Sequence, residues 1–345
     1  MGRRVIYTKY GDPEVLRVEA QGRPRPGPGE VLIDVAFAGV NYADVIARRG
    51  FYKWAPPFPT CVGFELSGVV AALGEGVTSH RLGDRVVAVT RFGGYADAVV
   101  VEAQRAWPLP EELTLAEGAA IPAVTITAWH ALVNVLRVRS GESLLIQAVA
   151  GGVGLAALQI AKHFGVFTYG TASSPEKLAF ARARGLDHGI DYTRVDFEHE
   201  IGRLTQGQGI DHVLDSLGGE ALRKGYRALK PGGHAVTIGA AQVAPAERTP
   251  WQVLKAGAEL VRGGVFHPFQ LIEDNKSIAG VQVLLLWNDV PLMQAAMREI
   301  LQLARASVIK PHVDRIVPLE RAAEAHVLLE SRKTRGKLLL ACAGA

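Results

Sequence analysis

The chain has 345 residues, 48% hydrophobic and 21% charged, which excludes a disordered or fibrous protein and leaves room for two globular domains. It has no run of about eighteen uncharged apolar residues, so no segment is expected to span a membrane. The net charge of +4 is small for this length and its Lys and Arg are dispersed without a recognised nucleic-acid module; nucleic-acid binding is set aside in favour of a phosphate-rich small molecule.

The N-terminus, Met1-Gly-Arg-Arg-Val-Ile-Tyr7, enters a strand-like alternation with no apolar leader. Cys61 and Cys342 cannot build a disulfide framework, and the expectation is a cytoplasmic protein. Residues 1–125 hold many short apolar runs punctuated by Gly and Pro, such as 29–36 and 83–88, and read as a β-rich partial barrel. Asp44, just before the helix-like run 45–48, serves either as a cap or as a site residue. Between Glu142 and Gly239, strand-like runs at 142–147, 166–170, 188–191, 210–215 and 234–239 alternate with helix-like runs at 155–164, 175–184 and 220–229. Such alternation predicts βαβ units and a parallel sheet. The segment 240–275 is rich in aromatics, with Trp251, Phe266 and Phe269 beside Arg262 and Gly263-Gly264; these either shape an apolar wall or pack a junction. A long apolar strand is expected at 278–287 and an amphipathic helix at 291–306. A strand, a helix and a strand follow, ending in Arg335-Gly-Lys-Leu-Leu-Leu340, and their strand chemistry predicts packing with the first block.

The most telling stretch is Ala148-Val-Ala-Gly-Gly-Val-Gly154, between the apolar run 142–147 and the helix-like run that follows. A turn so poor in side chains lets backbone N–H groups approach a pyrophosphate, and the dipole of the next helix favours the charge. The second strand ends about twenty residues on, where a dinucleotide fingerprint places the residue that reads the adenosine ribose. That position is assigned to Gly170, with Thr171-Ala-Ser173-Ser174-Pro-Glu-Lys177 behind it: hydroxyls and a cation where an acidic residue would repel a 2′-phosphate. The pattern favours NADPH over NADH, although Ser173 and Ser174 also suit a helix cap beside Pro175.

Separated motifs occur in order: Ala38-Gly-Val-Asn-Tyr-Ala-Asp44, Pro59-Thr-Cys-Val-Gly-Phe-Glu65 with Gly68, Leu82-Gly-Asp-Arg-Val86, Gly93-Gly-Tyr-Ala-Asp97, Thr125-Ile-Thr-Ala-Trp129, the Gly-rich turn, Ile190-Asp-Tyr192, Asp215-Ser-Leu-Gly218, Pro231-Gly-Gly233 and Gly336-Lys337. Across essentially the whole chain this set resembles the zinc-independent medium-chain dehydrogenase/reductases of the quinone oxidoreductase type, including the vesicle amine transport protein-like branch. The resemblance implies an α/β fold. A Rossmann-type doubly wound parallel sheet would bind NADPH over 126–290, a β-rich GroES-like partial barrel would span 1–125, and a connecting helix and C-terminal segment over 291–345 would return to the barrel. It implies hydride transfer from NADPH to a conjugated C=C, in an enone or an enoyl thioester such as enoyl-CoA, or to a quinone. A non-catalytic NADPH-binding scaffold is the alternative, with a zinc alcohol dehydrogenase behind it.

Zinc alcohol dehydrogenases carry a Cys where this chain has Asn41 and a His where it has Phe64, so no metal is expected and Glu65 is expected to be structural. By resemblance the catalytic set is Asn41, Tyr52 and Thr127, with Trp129 in the core. The cofactor set is Ala148, Gly151, Gly152, Val153 and Gly154 for the pyrophosphate, Gly170, Ser173, Ser174, Lys177, Tyr192, Arg332 and Lys337 around the 2′-phosphate, and Gly218 and Gly239. A homodimer through 278–287 is expected. The cations Arg48, Arg49 and Lys53 are either a basic surface loop or a rim for the phosphates of an acyl-CoA.

Overall fold

The structure, a computed structural model, describes residues 2–239, 251, 254, 257–258, 261, 264 and 266–345. It divides into two compact units, one formed by residues 1–124 with 287–345 and the other by 125–286.

The first unit is β-rich. A seven-stranded sheet runs in the order Val313–Pro318, Lys337–Ala341, Glu30–Val40, Glu65–Leu73, Arg85–Val89 and Ala106–Pro108, with Ala98–Glu102 also paired to Glu30–Val40. A smaller sheet joins Arg17–Gln21, Gly2–Tyr7 and Thr60–Cys61. Inward-facing Val31, Ile33, Val35, Leu66, Val86, Ala88, Leu338 and Leu340 form one buried cluster, the hydrophobic reason these strands close on themselves. The last strand pairs antiparallel with Glu30–Val40, Leu338 opposite Val40 and Leu340 opposite Ala38. That register sets Lys337 beside Val40 and the short helix Tyr42–Arg48 that follows it.

The second unit is a six-stranded parallel sheet in the order His188–Asp191, Phe167–Ala172, Ser143–Ile146, Ile210–Asp215, Leu229–Thr237 and Ser277–Gly280. Numbered within the unit the order is 3-2-1-4-5-6, the Rossmann order, in which the direction of strand addition reverses between the first and fourth strands while all strands stay parallel. Leu144, Leu145 and Ile146 are buried consecutively, as expected when helices cover both faces. Helices Gly152–His163, Pro175–Arg182, Phe197–Leu204 and Gly219–Ala228 supply that cover.

Two expectations about this unit's far edge change. The apolar run 278–287 is not one long strand: only Ser277–Gly280 is extended, and Val283–Leu286 winds into a 3-10 turn. Its pairing ends at Thr237 opposite Gly280, where the neighbouring strand itself stops, so the chain has no ladder to continue. In the aromatic segment, Phe266 packs its ring 5.1 Å from Tyr226, whereas Trp251 and Phe269 are exposed. Arg262 and Gly263 lie outside the described residues. Among the described residues no helix is long and apolar enough to cross a membrane.

Candidate functional site

The Gly-rich turn lies at the carboxyl ends of the second unit's strands. Strand Ser143–Ile146 leads into the Gly-rich turn, where Ala148 takes a left-handed backbone at φ +52° and the Gly151 N–H donates to Ala148 O at 2.9 Å. The Val149 N–H ties the turn to Thr171 O at 3.0 Å. Gly151 caps helix Gly152–His163, so the first-turn N–H groups of Gly152 and Val153 have no intrahelical acceptor, the arrangement an anion at a helix N-terminus requires. Gly154 is needed for packing: a Cβ there would lie 2.5 Å from Ala148 O and 2.7 Å from Val149 Cα.

Across the switch point, strand Ile210–Asp215 ends in a carboxylate, Asp215, to which the sequence motif alone assigns no role. Asp215 is fully buried; it accepts from the N–H groups of Leu217 and Gly218 at 3.1 Å and from the Thr237 hydroxyl at 2.7 Å. Burial pushes its pKa up, and those hydrogen bonds pull it back. It thereby fixes Gly218, at φ +72°, and the strand end beside Gly239, whose added Cβ would meet Ser216 O at 3.0 Å. An acid followed by a Gly three residues on, at the end of an apolar run, was the readable signal.

The expected ribose reader is corrected. Strand Phe167–Ala172 runs two residues past Gly170, whose missing side chain leaves room for Val149 and Leu186, each 2.8 Å from where a Cβ would sit. Gly170 is therefore a packing glycine beneath the cradle, and the strand end is Ala172. Ser173 and Ser174 come next, neither of them acidic, and the Ser174 hydroxyl caps helix Pro175–Arg182 by accepting from the Lys177 N–H at 3.3 Å. Tyr192 joins this corner through its N–H, which donates to Ala172 O at 3.2 Å. Ser173, Ser174, Lys177 and Tyr192 are thus gathered at one strand end, while Arg332 and Lys337 belong to the first unit.

In that first unit, Asn41 stands at the start of helix Tyr42–Arg48, and its N–H donates to the Asp44 carboxylate at 2.8 Å. Asp44 is thereby a cap, and more: it also accepts from the Gly63 N–H at 2.8 Å and the Tyr95 hydroxyl at 3.0 Å, and full burial pushes its pKa up to about 7. Tyr95 in turn reaches His326 at 3.3 Å, an imidazole that burial drives down to about 3.

Lys337 is not a phosphate cation in this structure. Its buried ammonium donates to Val40 O at 2.8 Å, Asn41 Oδ1 at 2.8 Å and Glu65 Oε1 at 2.6 Å, and three donors are all an ammonium has. Glu65, with no exposed side chain, also accepts from Asn41 Nδ2 at 2.8 Å and, through Oε2, from the Ala123 N–H at 2.8 Å. The basic rim is corrected too: Arg48 is fully buried, both Arg48 and Arg49 pair with Glu330, and only Lys53 of the three is exposed. Tyr52 sits in an aromatic cluster, its ring 5.7 Å from Phe64 and 5.5 Å from the half-exposed Trp54. Thr127 is half-buried on helix Pro122–Trp129, and Trp129 is core.

Residues 27–111 match the family described as alcohol dehydrogenase GroES-like domain, and residues 184–340 match the zinc-binding dehydrogenase family. The human synaptic vesicle membrane protein VAT-1 homolog is 34% identical over 98% of this chain and 86% of its own. The chain belongs to the medium-chain dehydrogenase/reductases of the quinone oxidoreductase type. Among solved structures, Escherichia coli quinone oxidoreductase complexed with NADPH has a TM-score of 0.87 at 27% identity, covering 98% of this chain and 99% of that one. The CurK enoyl reductase has a TM-score of 0.85 at 26% identity over 99% of each chain. The family's zinc does not fit the residues present. Asn41 spends its amide on Glu65 and Lys337, Phe64 offers only a ring packed 4.9 Å from Phe92, and no group of three metal-ligating side chains converges among the described residues.

Proposed function

We propose that this oxidoreductase is an NADPH-dependent reductase that transfers hydride, without metal, to an electron-poor C=C of an enone or enoyl thioester, or to a quinone. The observation that carries the reading is the strand end at Ala172. The residue that follows the strand, where a ribose-reading acid would stand, is Ser173, with Ser174, Lys177 and Tyr192 at the same corner; the carboxylates nearby are Asp191, opposite Ala172 on the next strand, and Glu176, bonded to the Ser174 hydroxyl, and the cradle is set at the switch point of a Rossmann sheet. The complex of the E. coli relative with NADPH supports it. Ser174 and the Lys177 ammonium take the 2′-phosphate, the cradle takes the pyrophosphate, and Asp215 holds Gly218 in place beside them. NADPH, when bound, supplies the hydride.

An acceptor whose double bond is conjugated to a carbonyl gathers negative charge on oxygen as it is reduced, and Tyr52 is assigned as the hydroxyl donor to that oxygen. Thr127 is assigned to the nicotinamide amide. The aromatic neighbours of Tyr52 give the acceptor an apolar wall. A homodimer through the exposed edge strand Ser277–Gly280 and the following turn is part of the proposal. The test is an NADPH-oxidation screen over quinones, enones and enoyl-CoA thioesters, run with and without chelator. Chelator-insensitive turnover of at least one class is expected; tight NADPH binding without turnover of any would favour the scaffold reading.

A further inference from the structure

Asp44, Tyr95 and His326 form a hydrogen-bonded row of buried side chains drawn from three places: helix Tyr42–Arg48, the segment before strand Ala98–Glu102, and helix Ala322–Glu330. Its direction follows from counting hydrogens. An ionised carboxylate only accepts, so the single Tyr95 proton points to Asp44 Oδ2, 3.0 Å away, and the phenol oxygen is left to accept from His326 Nε2 at 3.3 Å. Nε2 is then the protonated nitrogen of a neutral imidazole, and Nδ1, which has no hydrogen-bond partner among the described residues, holds only a lone pair. The other contacts of Asp44 are the N–H groups of Asn41 and Gly63, each at 2.8 Å, which can only donate. A proton arriving on Asp44 therefore has Tyr95 as its acceptor. The phenol must then turn its own hydrogen to Nε2, and His326 must carry its hydrogen on Nδ1, buried without an acceptor. One proton is gained and both bonds of the row reverse.

We propose that Tyr95 and His326 are positioning residues of the site: their row of hydrogen bonds answers and resists the protonation of Asp44, whose ionised carboxylate holds the acceptor wall in register. Asp44 ties the start of helix Tyr42–Arg48, through the Asn41 N–H, to the turn at Gly63. Phe64 comes next in the chain and packs its ring 5.7 Å from that of Tyr52, the donor assigned to the acceptor's oxygen, so the inference rests on the reductase reading. Bonds to a charged carboxylate are about twice as strong as bonds to a neutral one, and protonation slackens both ties. Full burial, opposed by these bonds and by the charge of Lys337, brings that protonation to about 7. The neighbouring groups do not titrate there. Burial pushes Tyr7 and Cys61 up to about 12 and Tyr95 well above the usual phenol range, while Glu65, which also faces Tyr95, is paired with Lys337. On the far side Arg48 and Arg49, both paired with Glu330, add their like charge to burial and keep His326 neutral.

The row is tested first without turnover. Infrared spectra of the parent should show a protonated-carboxyl band that grows as pH falls through about 7 and is missing in Asp44→Asn. Nitrogen NMR of isotope-labelled histidine, with the His326 signals identified by their loss in His326→Gln, should report a neutral ring at both ends of the range, as the Nε2–H tautomer at about pH 9 and the Nδ1–H tautomer at about pH 5. Tyr95→Phe, checked for folding by thermal melting, removes one bond to the charged form and should raise the midpoint of the band by about one to two pH units, a ten- to hundredfold gain in proton affinity. A band that does not titrate between about pH 5 and 9, a single His326 tautomer throughout, or an unmoved midpoint in Tyr95→Phe would each overturn the row; the tautomers decide if Tyr95→Phe fails to fold. With whichever acceptor the parent reduces, kcat/KM should fall on the acid side of the same midpoint, the fall should move with the band in Tyr95→Phe, and Asp44→Asn should be slow at every pH with no such limb. A limb that ignores Tyr95→Phe would overturn the positioning role alone. A parent that reduces no acceptor would overturn the function reading and that role together, while the infrared and tautomer readouts still decide the row.

Discussion

Replacing Gly154 with Ala tests whether the cradle's shape is the determinant of nucleotide binding. The added methyl would lie 2.5 Å from Ala148 O, 2.7 Å from Val149 Cα and 2.8 Å from Val149 C, all backbone atoms that no rotamer change can clear. Ala148 is already left-handed at φ +52°, so the turn has little room to yield and the first turn of helix Gly152–His163 must retreat instead. Overpacking of this kind costs about 1–3 kcal/mol. If the cost falls entirely on the binding-competent geometry, NADPH affinity drops about 5- to 150-fold. Gly202 is the internal control: it lies within helix Phe197–Leu204, and a Cβ there would meet nothing within 4 Å. Gly202→Ala should be neutral or stabilise by up to about 1 kcal/mol without touching NADPH affinity. Fluorescence titration with NADPH and thermal melting of the three proteins read both quantities. A Gly154→Ala protein with the parent's melting temperature and an NADPH affinity within about twofold of the parent's would refute the reasoning, because the clash would then have cost nothing.

Lys177→Ala should weaken NADPH about ten- to hundredfold and leave NADH nearly unchanged, as the loss of one charge-assisted phosphate contact demands; equal losses for both cofactors in titration would remove the assignment. The buried Asp44–Tyr95–His326 chain makes a prediction about pH. Folded, it keeps a proton on Asp44 up to about 7 and none on His326 down to about 3, whereas the unfolded chain between about pH 4 and 6.5 holds the proton on His and not on Asp. The two linkages cancel in that window. Asp44→Asn leaves the His326 contribution, so unfolding free energy should rise with pH there, and His326→Gln leaves the Asp44 contribution, so it should fall; denaturant titrations giving the same slope for both would contradict this. Val283→Lys with Leu285→Lys should weaken the proposed dimer, and a parent that sediments as a monomer at micromolar concentration would end that proposal.

The parallel sheet was legible because each strand from 142 to 215 is a short apolar run bounded by turn residues, and a strand buried on both faces has no other pattern to show. Two errors arose where tertiary pairing, invisible in one chain, sets an element's length. Strand Phe167–Ala172 extends to Ala172 because Thr171 and Ala172 pair with Ile190 and Asp191 on one side after the pairing with Ser143–Ile146 has ended at Gly170. The run at 278 stops early because its partner ends at Thr237. Within the site, the Gly-rich turn was readable from composition alone. The fates of Lys337 and Arg48 were not: whether a cation is solvated or buried depends on which strand or helix is laid beside it, and here those are Glu30–Val40 and Ala322–Glu330, far away in sequence. Asp215 was visible as a residue, but its role appears only when Gly218 and Thr237 are seen to converge on it.

The most direct test of the account is isotopic. The protein is incubated with NADPH deuterated at the transferred position of C4 and with a conjugated enone, an enoyl-CoA thioester and a quinone in separate reactions, and the products are examined by NMR or mass spectrometry. The account predicts that at least one acceptor is reduced, that for a C=C acceptor the deuterium resides on the carbon β to the carbonyl, and that NADPH outperforms NADH. Binding of NADPH with no deuterium delivered to any of the three classes, or a clear preference for NADH, would contradict it.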